Sequence, residues 1–174
     1  MKILFDPAQL AHNPPYQLVR GEPQAYPEGP KRVGAVQRAL ADAPFQRVAV
    51  DIYTTDALYR IHSPEYIAFL SAASASAAAT AGGVLCATPD SRFFGDEYVA
   101  IERNTFQSAI ASANTALSGA AWLDRGERAV YALCRPPGHH AGRDYCGGFC
   151  FLNNAALAAD ALVRSGAKVS ILDI

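Results

Sequence analysis

The sequence has no block of Lys or Arg and no regular basic stripe. Its 15 basic residues are balanced by 16 acidic ones, for a formal charge of −1. Nothing in that pattern attracts a polyanion, which argues against nucleic-acid binding as the main activity. Long apolar runs are missing too. The longest low-polarity stretch, "AFLSAASASAAATAGGVLCA", is mostly Ala, Ser and Thr. Alanine is barely apolar enough to drive insertion, so no membrane span or membrane partner is expected. The opening "MKILFDPAQL" holds only a short apolar run, broken by Asp6 and Pro7. A secretory signal needs a longer apolar core, so a cytoplasmic protein is expected. Cysteine is scarce: Cys86, Cys134, Cys146 and Cys150. A chain of 174 residues, 51% hydrophobic, can build a core without disulfides. Cys146 and Cys150 are not followed by a second Cys/His pair at zinc-finger spacing, so the simpler reading is small buried side chains. Histidine is as scarce as cysteine, four in all, yet two of the four are adjacent.

The hydrophobic pattern divides the chain into alternating strands and helices. "KILF" opens as a strand, and a Pro-rich loop follows, "HNPPYQLVRGEPQAYPEGP". Val33, Val36 and Leu40 recur at helical spacing behind Pro30, predicting a helix over 30–42. "RVAVDIY" reads as a strand near 47–52. Two short helices follow, the second capped by Ser63 with Pro64 at its first position. "VLCATPDSRFFGDEY" reads as a loop. Phe106, Ile110, Ala113 and Leu117 share one face of an amphipathic helix near 104–119. "RAVYALC" predicts a strand near 129–134, then a helix over 153–164 stopped by Gly166, and "KVSILDI" a strand near 169–174. The expected fold is a single α/β domain over 1–174, a parallel sheet with helices on both faces.

The adjacent histidines sit in "RPPGHHAGRDYCGGFCFLNN", between a Pro-Pro-Gly turn and a Gly-Gly-Phe. His139 and His140 follow one strand of an expected βαβ unit, and Asp173 ends the other. All three therefore collect at the edge of a parallel sheet where α/β proteins bind ligands. A carboxylate beside an imidazole fixes its tautomer and raises its basicity, so the pair could serve as general base and acid. The alternative is a polar loop whose histidines only bond to backbone, and spacing alone leaves both open.

"CRPPGHHAGRDYCGGFCFLNNAALAA" followed by "VSILDI" closely resembles the zinc-dependent deacetylase family, which includes histone deacetylases and bacterial acetylpolyamine amidohydrolases. "PEGPKRVGAV" and "IHSPEYIAFL" match more weakly, in the expected order. "RPPGHHAG" and the "RGE" segment look most like the acetylpolyamine amidohydrolase branch. The resemblance implies an arginase/deacetylase fold and hydrolysis of an acetyl-amide by a zinc-bound water. The substrate would be an acetylated polyamine or acetyl-lysine. By the match, His140 is the general base and acid, and His139 helps orient the water. Asp173 partners the first histidine and contributes to a monovalent-cation (K+) site. Gly148 offers its carbonyl to the substrate amide N–H, and Phe149 walls the acyl tunnel. Arg32 matches an arginine lining an internal channel. For the family's acidic rim residue, ungapped matching gives Tyr98, with Asp96 and Glu97 close by.

The family pattern continues past "ILDI" with an Asp-x-His pair that binds zinc, then a further aspartate and a tyrosine. The sequence stops at Ile174, just before the first of these, so no metal ligand is assigned within it. The expectation is the N-terminal portion of a zinc-dependent, acetylpolyamine-like deacetylase, inactive alone and prone to form a homo-oligomer. The alternatives are a truncated non-catalytic binding or dimerisation module, and a relative acting on another acyl-amide.

Overall fold

The computed structural model describes residues 1–87 and 91–174. In chain order the elements are β1 (Lys2–Leu4), β2 (Tyr16–Val19), β3 (Glu22–Ala25), α1 (Pro30–Ala39), β4 (Gln46–Val48), α2 (Asp56–Tyr59), α3 (Pro64–Ala77), β5 (Val84–Cys86), β6 (Ala100–Glu102), α4 (Thr105–Asp124), β7 (Val130–Ala132) and α5 (Asn154–Arg164).

The apolar segments "KIL" and "VYA" and the short "QRV" form a parallel sheet in the order β4-β1-β7. Lys2 stands opposite Val130 and Leu4 opposite Ala132, so these four share a face. α4 covers that face. Lys2 Nζ lies 4.2 Å from the Trp122 ring centroid, and a Cβ on Gly119 would meet the Ala132 Cβ at 3.3 Å. Ile3 points the other way, where it lines a surface cavity together with Val48 and Gln37 of α1.

α4 departs from the expected amphipathic pattern. Ser108, Ala109, Ala111, Ser112, Ala113, Asn114, Thr115 and Ala116 are all buried, so the helix is covered on every side. Its small side chains let neighbours approach from all directions, and its hydroxyls bond to them. Ser108 Oγ donates to Ala8 O at 2.8 Å, and Ser112 Oγ donates to Pro136 O at 2.7 Å. Around α4 the core gathers Tyr66, Ile67 and Leu70 of α3, Ile101 of β6, and Phe151, Leu152 and Leu157.

Three local readings of the sequence are corrected. The Pro-rich loop contains a hairpin, β2 antiparallel to β3. Its turn residues Arg20 and Gly21 have φ of 54° and 81°, the left-handed pair that a two-residue hairpin requires. The segment read as a loop from Val84 begins with β5, which pairs antiparallel with β6. The expected strand over 169–174 is not formed. No described strand pairs with it, and Leu172 is 88% exposed. A β pattern becomes a strand only through a ladder partner, and apolar alternation does not supply one. The helix before it is as expected: Asn153 Oδ1 accepts from Ala156 N at 3.0 Å, and Gly166 ends it at φ 97°. Ser63 likewise caps α3, accepting from Tyr66 N at 3.2 Å.

No helix among the described residues is long and apolar enough to cross a membrane.

Candidate active site

The loop between β7 and α5 is anchored from below before it reaches the surface. Arg135 is only 1% exposed. Its guanidinium donates to Gln9 O at 2.8 Å and to Glu28 O at 2.7 Å, and its Nε lies 3.2 Å from Glu28 Oε2. Its backbone N–H donates to Gln9 Oε1. Burial pushes the Glu28 carboxyl up, and the Arg135 guanidinium partly opposes this. The two groups form a buried pair whose members compensate each other. Beyond it, Pro136 O also accepts from Asn154 Nδ2 at 3.2 Å. Gly138 then passes so close to α5 that a Cβ would lie 2.5 Å from Asn154 N and 2.6 Å from Leu152 O.

From this base the chain surfaces at His139 and His140, both exposed. Their rings meet edge to face, centroids 4.3 Å apart. His139 Nδ1 lies 2.8 Å from Asp173 Oδ2. An ionised carboxylate only accepts, so Nδ1–H is the donor and Nε2 is left as the basic nitrogen. The contact forms although the strand expected to carry Asp173 does not, and both side chains are solvated, at 49% and 62%. That bond engages one oxygen of the residue that the resemblance assigns to a monovalent cation.

Gly148 closes over His140. It has φ 51°, and a Cβ there would lie 2.7 Å from His140 Cγ and 3.0 Å from Nε2. Phe149, next in the chain, has φ 68°, a left-handed conformation that costs a non-glycine residue about 1 kcal/mol or more. Its ring packs edge-on against Tyr26 at 5.5 Å and tilted against Tyr98 at 6.3 Å. Tyr26 in turn meets His12, its hydroxyl 3.1 Å from His12 Nε2. The other ring nitrogen is 3.0 Å from Thr105 Oγ1. His12 is fully buried, and burial, helped by Arg135, pushes its pKa down to about 3. It is therefore a neutral prop beneath Phe149. His62 is another buried imidazole, whose Nε2 accepts from Asn153 N at 3.0 Å.

The other sequence candidates separate. Arg32 is exposed on the first turn of α1 and lines an open surface cavity of about 470 Å³ with Asn13, Pro14 and Tyr26. Asp96 is half-buried and turns toward the histidine loop: Oδ2 accepts from Gly148 N at 2.6 Å and Oδ1 from Tyr98 N at 2.9 Å. Glu97 Oε2 accepts from Arg20 N at 2.7 Å. The four cysteines are free, Cys146 and Cys150 fully buried. Burial holds their thiols up, to about 12 for Cys146 and about 11 for Cys150. Among the described residues no group of three or more His, Cys, Asp or Glu side chains is placed to hold a metal ion.

Sequence reasoning missed Gln9, Glu28 and His12. Each acts through a fold contact with a distant residue; Glu28 lies in the "PEGPKRVGAV" match, but nothing in that pattern announces its pairing with Arg135. The carboxylate of Asp96 lay in view at the expected rim, but not its turn toward the histidine loop.

The fold and the tandem-histidine loop together define an α/β deacetylase-like domain. The histone deacetylase domain model matches residues 26–174, and the chain belongs to that family. It is 34% identical over 180 residues to acetylpolyamine amidohydrolase 1 of Pseudomonas aeruginosa, covering 91% of this chain and 52% of that one. It is 31% identical over 194 residues to the acetylpolyamine amidohydrolase of Mycoplana ramosa, covering 100% and 57%. The crystal structure of acetylpolyamine aminohydrolase from Burkholderia pseudomallei superposes with a TM-score of 0.88 at 32% identity, covering 95% of this chain and 53% of the other. The chain has the arginase/deacetylase fold and spans about half the length of the relatives it matches.

Proposed function

We propose that the whole protein hydrolyses an acetyl-amide, with an acetylated polyamine as substrate in preference to acetyl-lysine. The observation that carries this reading is the constellation of His139, His140 and Gly148 on the β7–α5 loop, with Asp173 Oδ2 2.8 Å from His139 Nδ1. The branch rests on the relatives, whose names are those of acetylpolyamine amidohydrolases. His140, packed under Gly148, takes a proton from the attacking water and returns it to the departing amine. His139, its tautomer set by Asp173, holds that water and stabilises the charge that develops. Gly148 presents its carbonyl to the amide N–H, and the Phe149 ring packs along the acyl chain. The products are acetate and a free amine.

Zinc is the metal the family brings to such chemistry. The described residues carry no donor set for it, and their part is proton transfer and substrate contact. The partner is then a small acetylated amine.

The test is turnover by the whole protein on a monoacetylated diamine and on an acetyl-lysine peptide. Faster hydrolysis of the diamine supports the reading, and the opposite order moves the substrate to acetyl-lysine. Absence of turnover on both overturns it.

A further inference from the structure

We infer that Asp96 is a positioning residue that sets the Gly148 peptide against His140, and not a rim group that meets substrate. The inference rests on the proposed function, in which Gly148 and His140 face the scissile amide.

Both carboxylate oxygens of Asp96 are engaged by backbone. Oδ2 accepts from Gly148 N at 2.6 Å and Oδ1 from Tyr98 N at 2.9 Å. A Cβ on Gly147 would lie 2.9 Å from Asp96 Oδ2, so the carboxylate sits directly over the 147–148 peptide. The segment carrying it is itself held to the histidine loop. Cys146 N donates to Phe93 O at 2.9 Å, and Gly95 N to Cys146 O at 2.7 Å. Bonds from N–H to an ionised carboxylate are about twice as strong as neutral ones.

Gly148 needs such a restraint. It has no side chain to fix its conformation, its φ is 51°, and it lies against the His140 imidazole. Cys150 N holds the other side of the 147–148 peptide, donating to Gly147 O at 2.7 Å, and without Asp96 that peptide keeps only this bond to fix its plane. The Gly148 carbonyl, the seat of His140 and the left-handed turn into Phe149 all depend on it. A displacement of about 1 Å at a reacting group costs on the order of a hundredfold in rate. The loss should therefore fall on kcat and be the same for every substrate.

The experiment compares wild type, Asp96→Ala and Asp96→Asn in the whole protein. The substrates are a monoacetylated diamine, which is cationic, and a small neutral acetyl-amide. Hydrogen exchange at the Gly148 amide is followed in parallel. Asp96→Ala is expected to lower kcat about ten- to a hundredfold by the same factor on both substrates, with KM little changed and Gly148 exchange accelerated. Asp96→Asn should recover part of both, because its amide oxygen can still accept from Gly148 N. In an active enzyme, a loss confined to KM for the cationic substrate overturns the inference, since it marks direct charge contact. Unchanged kcat, or equal Gly148 exchange in wild type and Asp96→Ala, overturns it as well. An inactive wild type overturns the proposed function, and with it any catalytic role for Asp96.

Discussion

Gly148 lies against the face of the His140 imidazole so closely that a Cβ would stand 2.7 Å from Cγ and 3.0 Å from Nε2. Real Cβ atoms do not approach other atoms that closely, and at φ 51° an added side chain would be strained in any case. Gly148→Ala must therefore move either the loop or the ring. The expected result is a fall in kcat of about a hundredfold, with the melting temperature shifted by only a few degrees. Wild-type kcat in this variant would show that the contact has no part in turnover.

Phe149 closes the other side. Its ring is held edge-on by Tyr26 and flanked by Tyr98, and in the proposed function it walls a short acyl group. Phe149→Ala is expected to lower turnover of acetyl-amides and to raise the relative rate for butanoyl- and hexanoyl-amides. A short-chain acyl series measured on both proteins checks this. An unchanged order of preference counts against the wall.

Acid should destabilise the protein through His12. Its native pKa is pushed from the ordinary 6.5 down to about 3, so the unfolded chain binds a proton over that interval and the native state does not. Stability is then complete above the unfolded value. It declines as pH falls from about 6.5 toward 3, by up to roughly 1.4 kcal/mol per pH unit. His62 is shifted in the same direction, chiefly by burial. Denaturant unfolding between about pH 7 and pH 4 should show a flatter dependence in His12→Gln than in wild type, by about one proton. Identical slopes would show that His12 is already protonated in the native protein.

Much of the fold was legible because its signals are local. Pro30 and Pro64 at first helical turns, Ser63 as a cap and Gly166 as a stop are chemistry within a few residues, and those helices lie where expected. What was hidden depends on partners distant in sequence. The alternation in 169–174 promised a strand that no described neighbour pairs with. The β2–β3 hairpin lay under prolines, and its turn rests on Arg20 adopting φ 54°, which arginine does not advertise. The site divides the same way. His139, His140, Gly148 and Phe149 stand out in one contiguous motif. The Glu28–Arg135 pair beneath them joins residues 107 apart, and the turn of Asp96 toward the histidine loop joins residues 52 apart. Neither follows from spacing.

The central claim is that His140 carries the proton during acetyl-amide hydrolysis. The most direct measurement is kcat and KM for a monoacetylated diamine with the whole protein and its His140→Ala variant. General acid–base groups typically contribute about a hundred- to ten-thousandfold. The account predicts a loss of that size in kcat with KM little changed, because the imidazole acts on the reacting proton and does not hold the substrate. A variant that turns over near the wild-type rate would contradict it.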